Sequence, residues 1–271
     1  MADPTKIDIT RLASLLKDPD DNVAVSAMAE LLNREDELGD LLAALQDSPN
    51  PLMRRRVHQL QSALTMIRRR RYLSTLLQQE EVNFAQGLIQ IHLQWFDRDS
   101  ESDLRSKLEH FCQRMQLFPA RTLEEIGHAF AAYGVIPCPV TTLKIEQYCL
   151  GAMLDDRCGA APLWCGLICE LYPGRGLRTV CDRGRFAVAD RENLLFPEDN
   201  WQVSPLPQYA LEEWDARSLL RLSMMTLFSA AVNSDSFRYI LTVAQALTGC
   251  ENAEALHTLP YPYNPVLEEL S

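Results

Sequence analysis

The chain has 271 residues, of which 47% are hydrophobic and 23% are charged, so it can form a core of ordinary size without disulfides or metal ions. Its formal net charge of -11 argues against generic binding to nucleic acid or to anionic membranes, since those partners require a basic surface. The N-terminus has no pattern of a secretory signal, and no apolar stretch is long enough to cross a bilayer. We therefore expect a cytoplasmic protein whose eight cysteines are reduced.

The first 65 residues contain short amphipathic helices, because apolar residues recur there at every third or fourth position. One helix ends at Asp18-Pro19, a second covers residues 22–32, a third covers 38–45, and a fourth opens at Leu52. Two helices joined by an Asp-Pro-type turn, returning after roughly 30 residues, form a pattern typical of helical solenoids. The pattern resembles HEAT repeats. The alternative is an ordinary helical cap on the following domain.

Separate helices are also predicted over residues 72–79 and in three further segments up to residue 133, and two more lie between residues 143 and 171. The periodicity then changes. Residues 177–181 and 185–189 alternate between apolar and polar types around Asp182-Arg183-Gly184, which predicts a β-hairpin, and residues 201–203 are a candidate third strand. A helix pair is expected over residues 211–248. The proline-rich residues 259–265 are expected to be extended.

Three short segments carry a family resemblance. They are the apolar helix at residues 84–92, the sequence Gly-Ala-Ala-Pro-Leu-Trp at residues 159–164, and the sequence Gly-Arg-Phe-Ala-Val at residues 184–188. Together they resemble the SirB-type transglutaminase-like family of bacterial proteins. The resemblance implies a mainly α (α+β) protein with a small antiparallel sheet. We expect a HEAT-like cap at residues 1–70, a transglutaminase-like core at 71–205 and a helical pair with an extended tail at 206–271.

The resemblance also implies a catalytic pattern, in which a cysteine on a buried helix is followed by a histidine and an acid on successive strands. A thiol is a weak nucleophile until a base removes its proton, and the acid orients that base. Here the pattern falls on Cys165, Arg185 and an acid within residues 196–199, for which Asp199 is the candidate. Arginine stays protonated in proteins and cannot accept the thiol proton. The only histidine after Cys165 is His257, in the tail.

We therefore predict a catalytically degenerate protein that works as a protein-interaction module. The cleft between residues 159–165 and the hairpin is one candidate surface for the partner. The alternative is a thiol-dependent peptidase or acyl transferase that uses Cys158, which is expected to be exposed in a polar turn, or Cys165, which is expected to pack in the core. No phosphate-binding, dinucleotide-binding or metalloprotease motif occurs, and no cysteine pair has zinc-ligand spacing, so we expect neither a cofactor nor a metal.

Arginines are concentrated in two places in this acidic chain, and each concentration has two interpretations. They could form a docking surface for an acidic protein partner or for phosphate. They could equally pair with neighbouring acids, such as residues 35–37 and 80–81 near the first concentration and Asp182 near the second. Few aromatic residues lie beside them, which disfavours single-stranded nucleic acid. The arginines named as binding candidates are Arg54, Arg55, Arg68, Arg69, Arg70 and Arg71 in the helical region, and Arg183 and Arg185 in the hairpin.

Overall fold

The computed structural model describes residues 8–118, 120–140 and 144–234, together with residues 240, 243, 244 and 247. The chain divides into two compact units, Met1–Arg68 and Arg69–Ser271. The described part is mainly helical and carries a small antiparallel sheet, as predicted. Most of the segment predicted as a second C-terminal helix, the proline-rich tail and His257 lie outside the described residues. Across the described ranges, no helix combines the length and the apolar character that crossing a membrane requires.

The first unit is built from helices. They are α1 (Ile9–Ser14), followed by a 3₁₀ turn (Leu15–Lys17), then α2 (Asp21–Leu32), α3 (Glu35–Leu45) and the first part of α4 (Pro51–Gln78). Asp8 and Asp20 cap α1 and α2 by accepting hydrogen bonds from backbone N–H groups, which explains why the helices begin there. The apolar residues that recur along these helices meet in one core, which consists of Leu12, Leu16, Leu31, Leu38, Leu42, Met53, Val57, Leu60 and Leu64.

Helix α4 differs from the prediction. It is one continuous helix of 28 residues, whereas the sequence pattern indicated separate helices from Leu52 and over residues 72–79. The four arginines that separate the two apolar patterns contain no helix breaker, and arginine has a high helix propensity. The polar interruption therefore marks a change in which residues are buried, and it does not end the helix.

The described part of the second unit contains the end of α4, six further helices and two sheets. Its helices are α5 (Phe84–Trp95), α6 (Glu101–Gln116), α7 (Leu123–Tyr133), α8 (Leu150–Asp156), α9 (Ala161–Leu171) and α10 (Ala216–Asn233), with 3₁₀ turns at Ile145–Tyr148 and Pro197–Asp199. Helix α9 is the central element, because every residue from Ala161 to Ile168 is buried. Helices α5 and α10 pack against it, and so does the larger sheet.

The smaller sheet has two parallel strands, β1 (Ile136–Cys138) and β2 (Cys158–Ala160), and β2 leads directly into α9. The larger sheet is antiparallel, with strands in the order β6-β5-β4-β3-β7. These strands are β3 (Arg178–Asp182), β4 (Arg185–Ala189), β5 (Asn193–Phe196), β6 (Gln202–Pro205) and β7 (Glu212–Trp214).

The predicted hairpin is confirmed as β3 and β4, and its turn contains Arg183 and Gly184 at positive φ. Other strand predictions were incomplete. The candidate strand at residues 201–203 is confirmed for Gln202 and Val203, which lie in β6, but the strand paired with the hairpin is β5, and it was not predicted. Strand β7 occupies the start of the predicted C-terminal helix pair. Strands β1 and β2 were not predicted, since each has three residues and β1 contains Pro137, which cannot donate a backbone hydrogen bond.

The two faces of the larger sheet have different neighbours. Phe186 and Val188 of β4 belong to the main core, which also contains α9. Successive residues of a strand point to opposite faces, so Arg185 and Ala187 point away from α9. Ala187 packs there with Val180 in a smaller apolar cluster. This alternation determines where the residues singled out by the family resemblance lie.

Candidate functional site

Cys165 lies in the second turn of α9 and is fully buried, with no exposed surface. Burial raises the pKa of its thiol well above the ordinary value, because a thiolate there would lose its hydration, and the nearby Glu198 carboxylate acts in the same direction. A catalytic cysteine needs the opposite shift and an open path for substrate. Cys165 therefore has the environment of a core residue.

Arg185 is held on the other face of the sheet. Its Nη1 atom donates a hydrogen bond to Oδ2 of Asp199 at 2.6 Å, and its guanidinium lies 4.6 Å from the centre of the Phe196 ring. The structure thus brings together two of the three positions that the resemblance aligned with a catalytic pattern. It separates Arg185 from Cys165, because Arg185 extends from the face of β4 that points away from α9.

Cys158 lies in β2, whereas the sequence placed it in an exposed polar turn. Its side chain is half-buried. Its Sγ atom is 3.3 Å from Sγ of Cys138 on the neighbouring strand and 3.9 Å from Nε2 of Gln147. Cys138 was not singled out from the sequence, since the parallel pairing of β1 with β2 that brings the two thiols together gives no local signal.

One buried histidine has a carboxylate partner, but it does not serve a thiol. Nε2 of His92 lies 2.7 Å from Oδ2 of Asp99, and its Nδ1 atom accepts a hydrogen bond from the backbone N–H of Gly151 at 3.2 Å. Burial lowers the pKa of His92, although Asp99 opposes the shift. The neutral ring therefore donates to Asp99 and uses its other nitrogen as an acceptor, which leaves no lone pair for a cysteine. Sequence reasoning missed this residue, although a histidine inside an apolar helix is a signal of a buried polar contact.

The second unit contains a cleft of about 860 Å³ between α9, the β3–β7 edge of the sheet and the N-terminal ends of α5 and α10. It lies farther along α9 than the cleft expected at residues 159–165, because Gly159 and all the residues up to Cys165 are buried in the core. Its lining includes Glu81, Val82, Asn83, Phe84, Gly166, Cys169, Glu170, Leu177, Arg178, Thr179, Glu213, Trp214, Asp215, Ala216, Ser218 and Leu219.

The charged groups of this cleft are mostly acidic. It is lined by four carboxylates and a single arginine, Arg178, whose Nε atom lies 2.9 Å from Oε1 of Glu213. Glu170 accepts a hydrogen bond from the backbone N–H of Ala85 at 2.8 Å, at the start of α5. Burial nevertheless raises the pKa of Glu170. A positively charged group entering the cleft would oppose that shift by stabilising the ionised carboxylate.

Three of the four cleft carboxylates, Glu81, Glu213 and Asp215, belong to exposed residues. Asp215 caps α10 by accepting the backbone N–H of Ser218 at 2.8 Å. Its pKa is lowered, first by hydrogen bonding to the Ser218 side chain and then by this backbone bond, while burial opposes the shift. The cleft therefore combines apolar walls, such as Phe84 and Trp214, with a negative electrostatic character.

Several arginines named as binding candidates have partners inside their own unit. In the first unit, Arg54 donates to the carbonyl of Ser48, and Arg68 pairs with Glu35 at 2.7 Å. In the second unit, Arg69 donates to the carbonyl of Asp97, and Arg183 lies over the ring of Tyr209. Arg70 and Arg71 also interact with other groups, and Arg55 is exposed. These contacts favour internal pairing over a docking surface.

In the residues that the structure describes, no group of three or more histidine, cysteine or acidic side chains is arranged to hold a metal ion. No protein-family model, no curated protein and no solved structure matches this chain. The resemblance to the SirB-type transglutaminase-like family therefore stays a prediction carried by three short segments.

Proposed function

We propose that the protein is a catalytically degenerate transglutaminase-like protein, with a HEAT-like N-terminal cap, that works by binding a partner protein. The observation that carries the proposal is the complete burial of the Cys165 sulfur, with a pKa raised by that burial. A nucleophile must reach its substrate, and its thiolate must be accessible at working pH.

The surroundings of the other aligned positions support the same conclusion. Arg185 forms an ion pair with Asp199 and extends from the face of the sheet that points away from α9. An arginine also cannot act as a base. The carboxylate-paired imidazole of His92 has both ring nitrogens occupied. A thiol enzyme built on Cys165 would therefore lack both access and a base.

The cleft lined by Phe84, Glu170 and Trp214 is the surface proposed for the partner. Its volume of about 860 Å³ is in the range of ligand-binding clefts. Its surplus of carboxylates favours a lysine- or arginine-rich segment of the partner, since complementary charge speeds association and selects between partners. The acidic partner that the arginine runs indicated is less well supported, because Arg68 and Arg69 have acceptors within the chain.

The alternative function, a thiol-dependent peptidase or acyl transferase, has one observation in its favour: Cys158 is the partly exposed member of its pair. Iodoacetamide labelling of the native full chain from pH 5 to 9, read by peptide mass spectrometry, separates the two functions. If the chain is a binding module, Cys165 stays unlabelled until the protein unfolds, and no cysteine is labelled rapidly at about pH 5. Rapid labelling of Cys158 or Cys165 at acidic pH would support the thiol enzyme and overturn the proposal.

Binding is tested directly with fluorescently labelled peptides. A lysine- and arginine-rich peptide and a glutamate-rich peptide of the same length are titrated with the full chain, and anisotropy is recorded at several salt concentrations. We expect the basic peptide to bind more tightly, with an affinity that falls as salt screens the cleft.

Two charge reversals locate the peptide on the molecule. Glu81→Lys, in the cleft, should weaken binding of the basic peptide about five-fold or more. The matched control is Asp156→Lys, an exposed acid at the end of α8 outside the cleft, which should change binding less than about two-fold. Equal effects of the two substitutions, or a preference for the acidic peptide, would remove the cleft from the proposal.

A further inference from the structure

Two cysteines that are 20 residues apart in sequence face each other across the small parallel sheet. Sγ of Cys138 and Sγ of Cys158 are 3.3 Å apart. The register pairs Cys158 with Ile136, and Cys138 lies two residues farther along β1. Residues two apart in a strand point to the same face, so both thiols lie on one face of the sheet, in diagonal positions.

We propose that Cys138 and Cys158 form a redox-active dithiol that is oxidised to an intramolecular disulfide by small disulfides of the glutathione type. The inference does not depend on the proposed function, because neither the cleft nor Cys165 takes part. The sulfurs are already close to contact, and a disulfide bond length of about 2.0 Å requires them to approach by roughly another 1.3 Å. This approach requires β1 and β2 to move, and their sheet has only two strands.

The two sulfurs have different roles. Cys158 is the more accessible thiol, whereas Cys138 is 8% exposed. Burial raises the pKa of Cys138 to about 12, and its hydrogen bond to Cys158 adds to this shift, while the Lys144 ammonium opposes it. Cys138 therefore stays protonated and donates to the sulfur of Cys158. This leaves Cys158 as the attacking sulfur and Cys138 as the resolving one.

The exchange is balanced in two steps. The Cys158 thiolate attacks one sulfur of the small disulfide, forms a mixed disulfide and releases one small thiolate, which takes up the proton that Cys158 lost. Cys158 then carries no charge, so its contribution to the raised pKa of Cys138 disappears. The Cys138 thiol loses its proton, and its sulfur attacks Sγ of Cys158, which forms the protein disulfide and releases the second small thiolate. That thiolate takes up the proton that Cys138 lost. The protein is oxidised by two electrons, and the small disulfide is reduced to two thiols.

The test uses the native full chain and hydroxyethyl disulfide or oxidised glutathione. After treatment, free thiols are blocked with N-ethylmaleimide, and the protein is digested with trypsin without reduction. Cleavage after Arg121, Lys144, Arg157 and Arg175 separates Cys138 from Cys158, although Cys165 and Cys169 remain on the peptide of Cys158. Fragmentation of the cross-linked peptide then identifies the bridged sulfur.

We expect a Cys138–Cys158 cross-link, reversed by dithiothreitol, and a fall of about ten-fold in maleimide labelling of both residues. Cys138→Ala should instead accumulate the mixed disulfide on Cys158. The matched control is Cys112→Ala, on α6, which should leave the cross-link unchanged. A stable mixed disulfide on Cys158 of the unsubstituted protein would overturn the inference. The inference would also be overturned if Cys138 and Cys158 stayed unreacted, or if the cross-link to Cys138 ran through Cys165 or Cys169. The unsubstituted protein alone decides the matter if the Cys138 variant fails to fold.

Discussion

The Arg185 guanidinium and the Asp199 carboxylate lie 2.6 Å apart, on the face of the sheet that points away from α9. Both side chains are close to half exposed, at 46% and 45%, so solvent screens the pair, and we expect it to stabilise the fold by about 1 kcal/mol at most. Its importance is positional. The residue that the family resemblance aligned with a histidine is joined to the neighbouring acid, but it does not face the thiol of Cys165.

A histidine placed at position 185 should therefore not create an enzyme. Arg185→His would place an imidazole beside Asp199, on the far side of the sheet from the buried Cys165 sulfur. We expect no hydrolysis of activated esters or of glutamine-containing peptides above the rate of the unsubstituted protein, because the base cannot reach the thiol. The measurement is a continuous absorbance assay on both purified proteins.

The control for that experiment is the double variant with Cys165→Ala. Turnover that appears in Arg185→His and is lost in the double variant would show that the two side chains do meet. The assignment of opposite faces would then be wrong.

The sequence was informative wherever the signal was local. Periodicity predicted most of the helices, and the turn around Gly184 predicted the hairpin, because a positive φ is needed there. The pairing of arginines with neighbouring acids was one of two interpretations, and Arg68 with Glu35 agrees with it.

What the sequence did not reveal depends on contacts between distant segments. Cys138 meets Cys158 through a pairing of strands that are too short to give a signal, and one of them contains Pro137. His92 is satisfied by a backbone N–H at position 151, far from it in sequence. The face to which Arg185 points depends on which side of the sheet α9 covers, and no local pattern states that.

His92 should make folding of the second unit pH-dependent. Burial lowers its pKa in the folded protein, whereas in the unfolded chain the imidazole titrates near its ordinary value of 6.5. As the pH falls below that value, the unfolded chain takes up a proton that the folded protein resists, so the free energy of unfolding decreases. This decrease continues until the pH reaches the lowered pKa.

The matched variant is His92→Gln, which has no titrating group at this position. We expect it to be less stable at pH 8, by about 1–2 kcal/mol, because it disturbs the bonds to Asp99 and to the N–H of residue 151. The difference in unfolding free energy between the two proteins, measured by urea unfolding, should narrow as the pH falls from 7 to 5.5. The other four histidines are present in both proteins and cancel in the difference. A gap that stays constant or widens as the pH falls would contradict the argument.

Two helical glycines should respond in opposite ways to alanine. A Cβ at Gly127 of α7 would lie 2.7 Å from Cδ1 of Leu195 and 2.9 Å from the backbone oxygen of Trp201, and a backbone atom cannot move aside cheaply. We expect Gly127→Ala to destabilise the second unit by about 1–3 kcal/mol. A Cβ at Gly39 of α3 meets nothing within 4 Å, so Gly39→Ala should stabilise its helix by about 0.5–1 kcal/mol. Urea unfolding of both variants checks the signs, and a stabilised Gly127→Ala would contradict the close approach of α7 to the sheet.

Of the three consecutive arginines Arg54, Arg55 and Arg56, Arg56 is the one that is buried, with 5% of its surface exposed. Its Nη1 atom donates to the backbone carbonyls of Leu16 and Asp18, and its Nη2 atom lies 2.6 Å from Oδ1 of Asp21. It therefore binds the turn that follows α1 to the start of α4. Arg56→Met should fill the space of the side chain but leave two carbonyls without their donor, at a cost of about 2–4 kcal/mol to the first unit. Arg55→Met is the matched control, because its side chain is exposed and its loss should change stability by less than about 0.5 kcal/mol. Unfolding free energies of the two variants that agree within error would show that the buried guanidinium contributes no more than its exposed neighbour.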